Sequence, residues 1–129
     1  KVLFMKDYKL EVEQRGDYLY AYYMAERDSI ALSNKIWAEI ASKMNEYGLK
    51  KILVVENIIM NSSTVFEMYQ IVQASFKLGF GGKSIAFVDL IDEHYKNNKF
   101  GETLARNLGV NCRIFKSENE ALDWLKKQP

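Results

Sequence analysis

The stretch that most constrains this chain is Lys51–Gly79, KILVVENIIMNSSTVFEMYQIVQASFKLG. Ile52 to Val55 is an unbroken apolar run, the pattern of a parallel strand covered on both faces, which puts this strand at the centre of a sheet. A short connector follows, and then Val65, Met68, Tyr69, Val72 and Phe76 recur at helical spacing as one apolar stripe. Glu67, Gln70, Gln73 and Lys77 fall largely outside that stripe. Asn61, Ser62 and Thr64 crowd the predicted helix start, where side-chain oxygens accept from free first-turn amides, and Thr64 with Glu67 offers a capping-box register. This junction is the first candidate for function.

The elements around it follow from periodicity. Tyr8 to Gln14 alternates, with Tyr8, Leu10 and Val12 on one side and Lys9, Glu11 and Glu13 on the other, as a half-buried strand does. Arg15-Gly16-Asp17 turns the chain into a tyrosine-dense strand over Tyr18 to Ala25, giving an antiparallel hairpin. That turn reading replaces the adhesion-receptor reading of the Arg-Gly-Asp triplet. Lys1 to Met5 is apolar and is left open between an edge strand and simple packing. Asp28 or Ser29 caps a helix whose ridge is Leu32, Ile36, Ile40 and Met44, widened by Trp37 and Ala41 and ended by Gly48. Lys83 to Asp89 is a further strand. A third helix is expected over Asp92 to Leu108, with Phe100, Leu104 and Leu108 as its ridge and its HYKNNKFG half looped. Asn111 to Phe115 is the last strand, and Ser117 with Glu120 boxes the start of a final helix carrying Ala121, Leu122, Trp124 and Leu125. The order β-β-α-β-α-β-α-β-α predicts a small α/β domain over residues 1–129. It has a mixed, mostly parallel sheet of about five strands, opened by the hairpin, and four helices.

Composition narrows the function classes. Eighteen basic and seventeen acidic residues leave a net charge of +1, which gives no global field for nucleic acid or an anionic membrane. One cysteine, Cys112, excludes an internal disulfide framework and fits a reducing cytosol, and no apolar run reaches the ~20 residues of a membrane span. The expectation is a soluble, cytoplasmic protein with no cofactor, no nucleic-acid partner and no integral membrane segment.

Gly81-Gly82-Lys83-Ser84 resembles the end of a phosphate-binding loop, but Lys77 stands where that motif needs glycine, and the cluster leaves a helix instead of entering one. It reads as a cap and turn. Asp89, Asp92, Glu93 and His94 are the densest titratable set and follow a strand, at the edge where open α/β sheets bind ligands. They are the residues a hydrolase or metal-dependent enzyme would use, although acidic residues in a first helical turn are also ordinary dipole partners, so no catalytic or metal residue is assigned. Tyr18, Tyr20 and Tyr22 share one strand face and read as core, dimer contact or ligand wall. Their strand is expected at the hairpin edge, which motivates a homodimer through it.

At Lys51–Val72 the run ILVVENIIMNSSTVFEMYQIVQ resembles the STAS, or anti-sigma-factor antagonist, family, where an apolar strand leads through a connector and an Asp-Ser-Ser-Gly step into a helix. Phe115 followed by Glu120-Ala121-Leu122-Asp123-Trp124-Leu125 resembles the closing strand and helix of the divergent SpoIIAA-like branch. The resemblance implies sequentially wound βα units acting by partner binding and not by catalysis. It makes Asn61, Ser62, Ser63 and Thr64 the partner surface and Ser62 the position of a regulatory phosphoserine. Asn61 stands where the family has aspartate, and Thr64 where it has glycine. Shared architecture with lipid-carrier domains adds a small apolar ligand as the alternative.

Overall fold

The computed structural model describes residues 2–4, 7–61 and 64–129. Its elements are β1 (Val2–Phe4), β2 (Tyr8–Arg15), β3 (Tyr18–Arg27), α1 (Ile30–Tyr47), β4 (Lys51–Met60), α2 (Val65–Ser75), β5 (Ser84–Asp89), α3 (Tyr95–Asn107), β6 (Asn111–Phe115) and α4 (Glu118–Lys126). A turn over Phe76–Phe80 follows α2 and kinks at Gly79, where φ is 97°, and a 3-10 turn, Asp92–His94, precedes α3. The strands lie side by side in chain order in a six-stranded sheet. β1, β2 and β3 pair antiparallel, and β3 through β6 pair parallel. The expected hairpin-opened mixed sheet and four helices are therefore present. The apolar opening of the chain supplies the added edge strand.

Each parallel connection is a helix, and α1, α2 and α3 gather on one sheet face. Leu10, Leu19, Ala21, Ile52, Val54 and Ile58 meet Leu32, Ile36, Ile40, Met44, Phe80 and Ala105 there in the main core. The predicted α1 ridge is buried along its whole length, Ser29 accepts from Leu32 N as the cap, and Gly48 ends the helix at φ 66°, a conformation that suits glycine. On the other face, α4 packs Ala121 and Leu125 on Leu53, Val55, Ala86 and Val88.

Four expectations are corrected. β4 runs to Met60, so the supposed connector after Val55 is strand, and Glu56 lies inside it. In α2 the buried side is Ile71 with half-buried Met68, Val72 and Ser75, while Val65, Phe66, Tyr69 and Phe76 are exposed. The HYKNNKFG stretch belongs to the 3-10 turn and α3, whose buried positions are Asn98, Gly101 and Ala105; Phe100 is exposed and Leu104 and Leu108 are only half-buried. Tight packing explains that choice, because a Cβ added at Gly101 would lie 3.1 Å from Met68 Sδ of α2, and a ridge of leucines there would push the helices apart. Finally, β3 is an interior strand between β2 and β4, so the tyrosine strand offers no free edge for pairing with a second copy.

Candidate functional site

Parallel pairing sets Tyr23 of β3 opposite Glu56 of β4, and Glu56 opposite Asp89 of β5. The three side chains thus form a transverse row near the carboxyl ends of the parallel strands, on the face covered by α1, α2 and α3. Glu56 is 7% exposed and Asp89 7%. Tyr23 donates its hydroxyl to Glu56 Oε1 at 2.7 Å. Asp89 is better supplied: Ile91 N donates to Oδ1 at 2.9 Å, Asn98 Nδ2 donates to Oδ2 at 2.8 Å, and His94 Nδ1 lies 3.2 Å from Oδ2. Glu56 Oε2 accepts from no donor among the described residues; the carboxyl instead meets Asp89 side chain to side chain.

Burial pushes the Glu56 carboxyl well above the usual carboxylate range, and the neighbouring Asp89 pushes it further in the same direction. The Tyr23 hydrogen bond opposes that shift without reversing it. Two carboxylates facing one another in a dry site cannot both be ionised cheaply, so the proton of the pair belongs on Glu56. Tyr23 is likewise driven well above the usual tyrosine value, by burial first and, where Glu56 is ionised, by its charge second.

In front of Glu56 lies a cavity of about 110 Å³ between the sheet and the three helices. Its walls are Trp37 of α1, Met68, Ile71 and Val72 of α2, Phe76 and Phe80 of the turn after α2, and Ile85, Phe87 and Ile114 of the sheet. Tyr23, Asp28, Asn61 and Asn98 join Glu56 in its polar lining. Such a chamber can hold a small molecule with one polar group. Among the described residues, Glu56, Asp89 and His94 are the set able to ligate a metal ion, their ligand atoms lying within 4.8 Å of one another.

No protein-family model matches the chain, and no curated protein does. Among solved structures, it is similar to an uncharacterised DUF3478-family protein with a SpoIIAA-like fold from Shewanella loihica PV-4. The match covers 95% of this chain and 97% of that one, with a TM-score of 0.53 and 16% identity. The fold is SpoIIAA-like.

Within this SpoIIAA-like frame the residues singled out from sequence separate. Asp89 and His94 come together, whereas Asp92 and Glu93 are exposed in the 3-10 turn. Thr64 is the α2 cap and forms the full box with Glu67, at 3.0 and 3.1 Å. Asn61 is half-buried in the cavity lining. Ser62 and Ser63 lie outside the described residues. Tyr18, Tyr20 and Tyr22 are half-buried against the α4 side of the sheet, with the Arg15 guanidinium 3.7 Å above the Tyr20 ring and Asn57 Nδ2 donating to the Tyr22 hydroxyl at 3.2 Å. Sequence reasoning missed Glu56, Tyr23 and Asn98. The available signal was Glu56 itself, a charge interrupting the apolar run KILVVENIIM. Among the described residues no helix is long and apolar enough to cross a membrane.

Proposed function

We propose that the chain is a non-catalytic regulatory domain that works by binding, with a small ligand in the cavity beneath α2 and a protein partner on the outward side of the same helix. The observation that carries this is α2 itself, which is apolar on both sides. Met68, Ile71 and Val72 line the cavity, while Val65, Phe66 and Tyr69 are 60%, 67% and 47% exposed. Large apolar side chains exposed together beside the polar Gln70 mark a surface that asks for a cover. Ile59, Met60 and Leu90, from the carboxyl ends of β4 and β5, are exposed at the same edge of the sheet. One helix then touches both occupants, and filling the cavity repositions the surface that the partner reads. The resemblance to STAS domains, in which this helix start is the regulatory surface, supports the same reading.

A catalytic thiol is disfavoured, because burial pushes Cys112 up to about 12 and keeps it protonated at neutral pH. Native mass spectrometry of protein purified gently from its own host tests the proposal. We expect a population carrying a small bound molecule, and Ile71→Trp, which fills the cavity, should lose that mass while remaining folded. Ligand-free protein under these conditions, with partner binding unaffected by Phe66→Asp in folded protein, would remove both halves of the reading.

A further inference from the structure

We propose that Glu102 and Arg106 of α3 stand in for a seventh strand along β6, and that this pair keeps a second copy of the chain from adding to the sheet at that edge. β6 is an outer strand of the sheet. Asn111 N donates to Lys83 O across the β5–β6 pair, so alternation turns the backbone groups of residues 111, 113 and 115 towards β5 and those of Cys112 and Ile114 outward. An outward row of this kind is a template for another strand. Here α3 fills it: Ile114 N donates to Glu102 Oε2 at 2.8 Å, and Arg106 Nε donates to Cys112 O at 3.0 Å. The carboxylate takes the place of a neighbouring strand's carbonyl, and the guanidinium takes the place of its amide.

The two spacings match. Glu102 and Arg106 are four residues apart on a helix, about 6 Å along its axis, and two residues of a strand advance about 6.6 Å. The tight connection after α3, in which Gly109 N donates to Arg106 O and Val110 N to Ala105 O, sends β6 back alongside the helix. Arg106 therefore meets the start of the strand and Glu102 its far half. Lys99 Nζ holds the Glu102 carboxylate in place at 3.0 Å from both oxygens, and Arg106 Nε lies 4.0 Å from Oε1. The Glu102 side chain is only 12% exposed, so these bonds are largely shielded from water. The Cys112 amide turns back on Val110 O at 2.9 Å and is likewise withheld from a new strand.

Seating α3 on the sheet does not by itself call for such a pair, because Asn98, Gly101 and Ala105 are already its buried positions. The opposite edge of the sheet is β1, three residues long, and a strand that short is a poor template for pairing. Arg113, exposed in the middle of β6, adds a second guard. If two β6 strands paired antiparallel about that residue, each Arg113 would face its own copy, and like charges directly opposite oppose pairing.

Sedimentation velocity of the intact chain and of the double variant Glu102→Ala/Arg106→Ala, in high salt that screens the Arg113 charges, tests the proposal. The double variant should sediment at twice the wild-type mass or more. Hydrogen exchange should then show the Ile114 amide slowed in the associated species, because a strand of the second copy covers it. Glu102→Gln, which keeps an oxygen for Ile114 N, should stay at the wild-type mass. A folded double variant at the wild-type mass would overturn the proposal and reduce the pair to an anchor for α3, and so would association that leaves the Ile114 amide exchanging fast. Where circular dichroism shows the double variant unfolded, Arg106→Ala alone decides, since it opens Cys112 O and leaves Glu102 on Ile114. Its mass should rise with concentration above that of wild type, and an unchanged mass would overturn the proposal.

Discussion

Glu56→Gln should make the protein more stable than wild type at neutral pH, and the gain should vanish as the pH falls below about 4. The folded carboxyl titrates well above the value it has in the unfolded chain, so the native state binds the extra proton. A group of this kind contributes its full stability below the unfolded value, near 4.3, and loses it as the pH rises toward the folded value. Within that window each pH unit costs about 1.4 kcal/mol, so a gain of more than about 1 kcal/mol at pH 7 is expected from an amide that never ionises. The amide retains a carbonyl to accept from Tyr23 and presents N–H donors to Asp89, imitating the protonated acid. Denaturant melts of both proteins between pH 4 and 8 measure the difference directly. A wild-type stability that rises relative to Glu56→Gln over this range would show that Glu56 is ionised and satisfied in the fold.

Leu125→Ala should cost about 2–5 kcal/mol and release α4 from the sheet. The helix has nine residues, too short to persist alone, so packing holds it in place. Its buried positions are Ala121, fully inaccessible, and Leu125 at 1% exposure, set on Leu53, Val55, Ala86 and Val88. The tilted Phe115–Trp124 contact at 5.7 Å is the neighbouring anchor. Urea unfolding gives the energy, and hydrogen exchange should show early loss of protection in α4 while α1 keeps its own. A loss below about 1 kcal/mol with α4 still protected would mean that Leu125 is not what holds this helix on the sheet.

What could be read from the residues depended on how locally each choice is made. The α1 ridge was legible because Leu32, Ile36, Ile40 and Met44 repeat over several turns and Ser29 and Gly48 punctuate its ends. The α2 cap was legible because Thr64 and Glu67 satisfy one another within three residues. The inward side of α2 was not, since Val65, Phe66, Met68, Tyr69, Ile71 and Val72 offer two apolar stripes and packing against both α1 and α3 selects one. Asn98 and Gly101 of α3 gave no apolar signal at all, because one is buried by its bond to Asp89 and the other by the nearness of Met68. Glu56 was hidden for a related reason. A charge normally marks the end of a buried strand, and what permits it here is Tyr23 from one neighbouring strand and Asp89 from the other, both more than thirty residues away in sequence.

Methyl NMR under xenon, an apolar probe that enters dry cavities, tests most directly whether the chamber beneath α2 is a ligand site. The methyl signals of Met68, Ile71, Val72, Ile85 and Ile114, which line the cavity, should shift and saturate together. Those of Ile40 and Ile52, buried elsewhere in the same core, should stay still. Shifts confined to the exposed Ile59, Met60 and Val65, with the cavity methyls unmoved, would contradict the assignment.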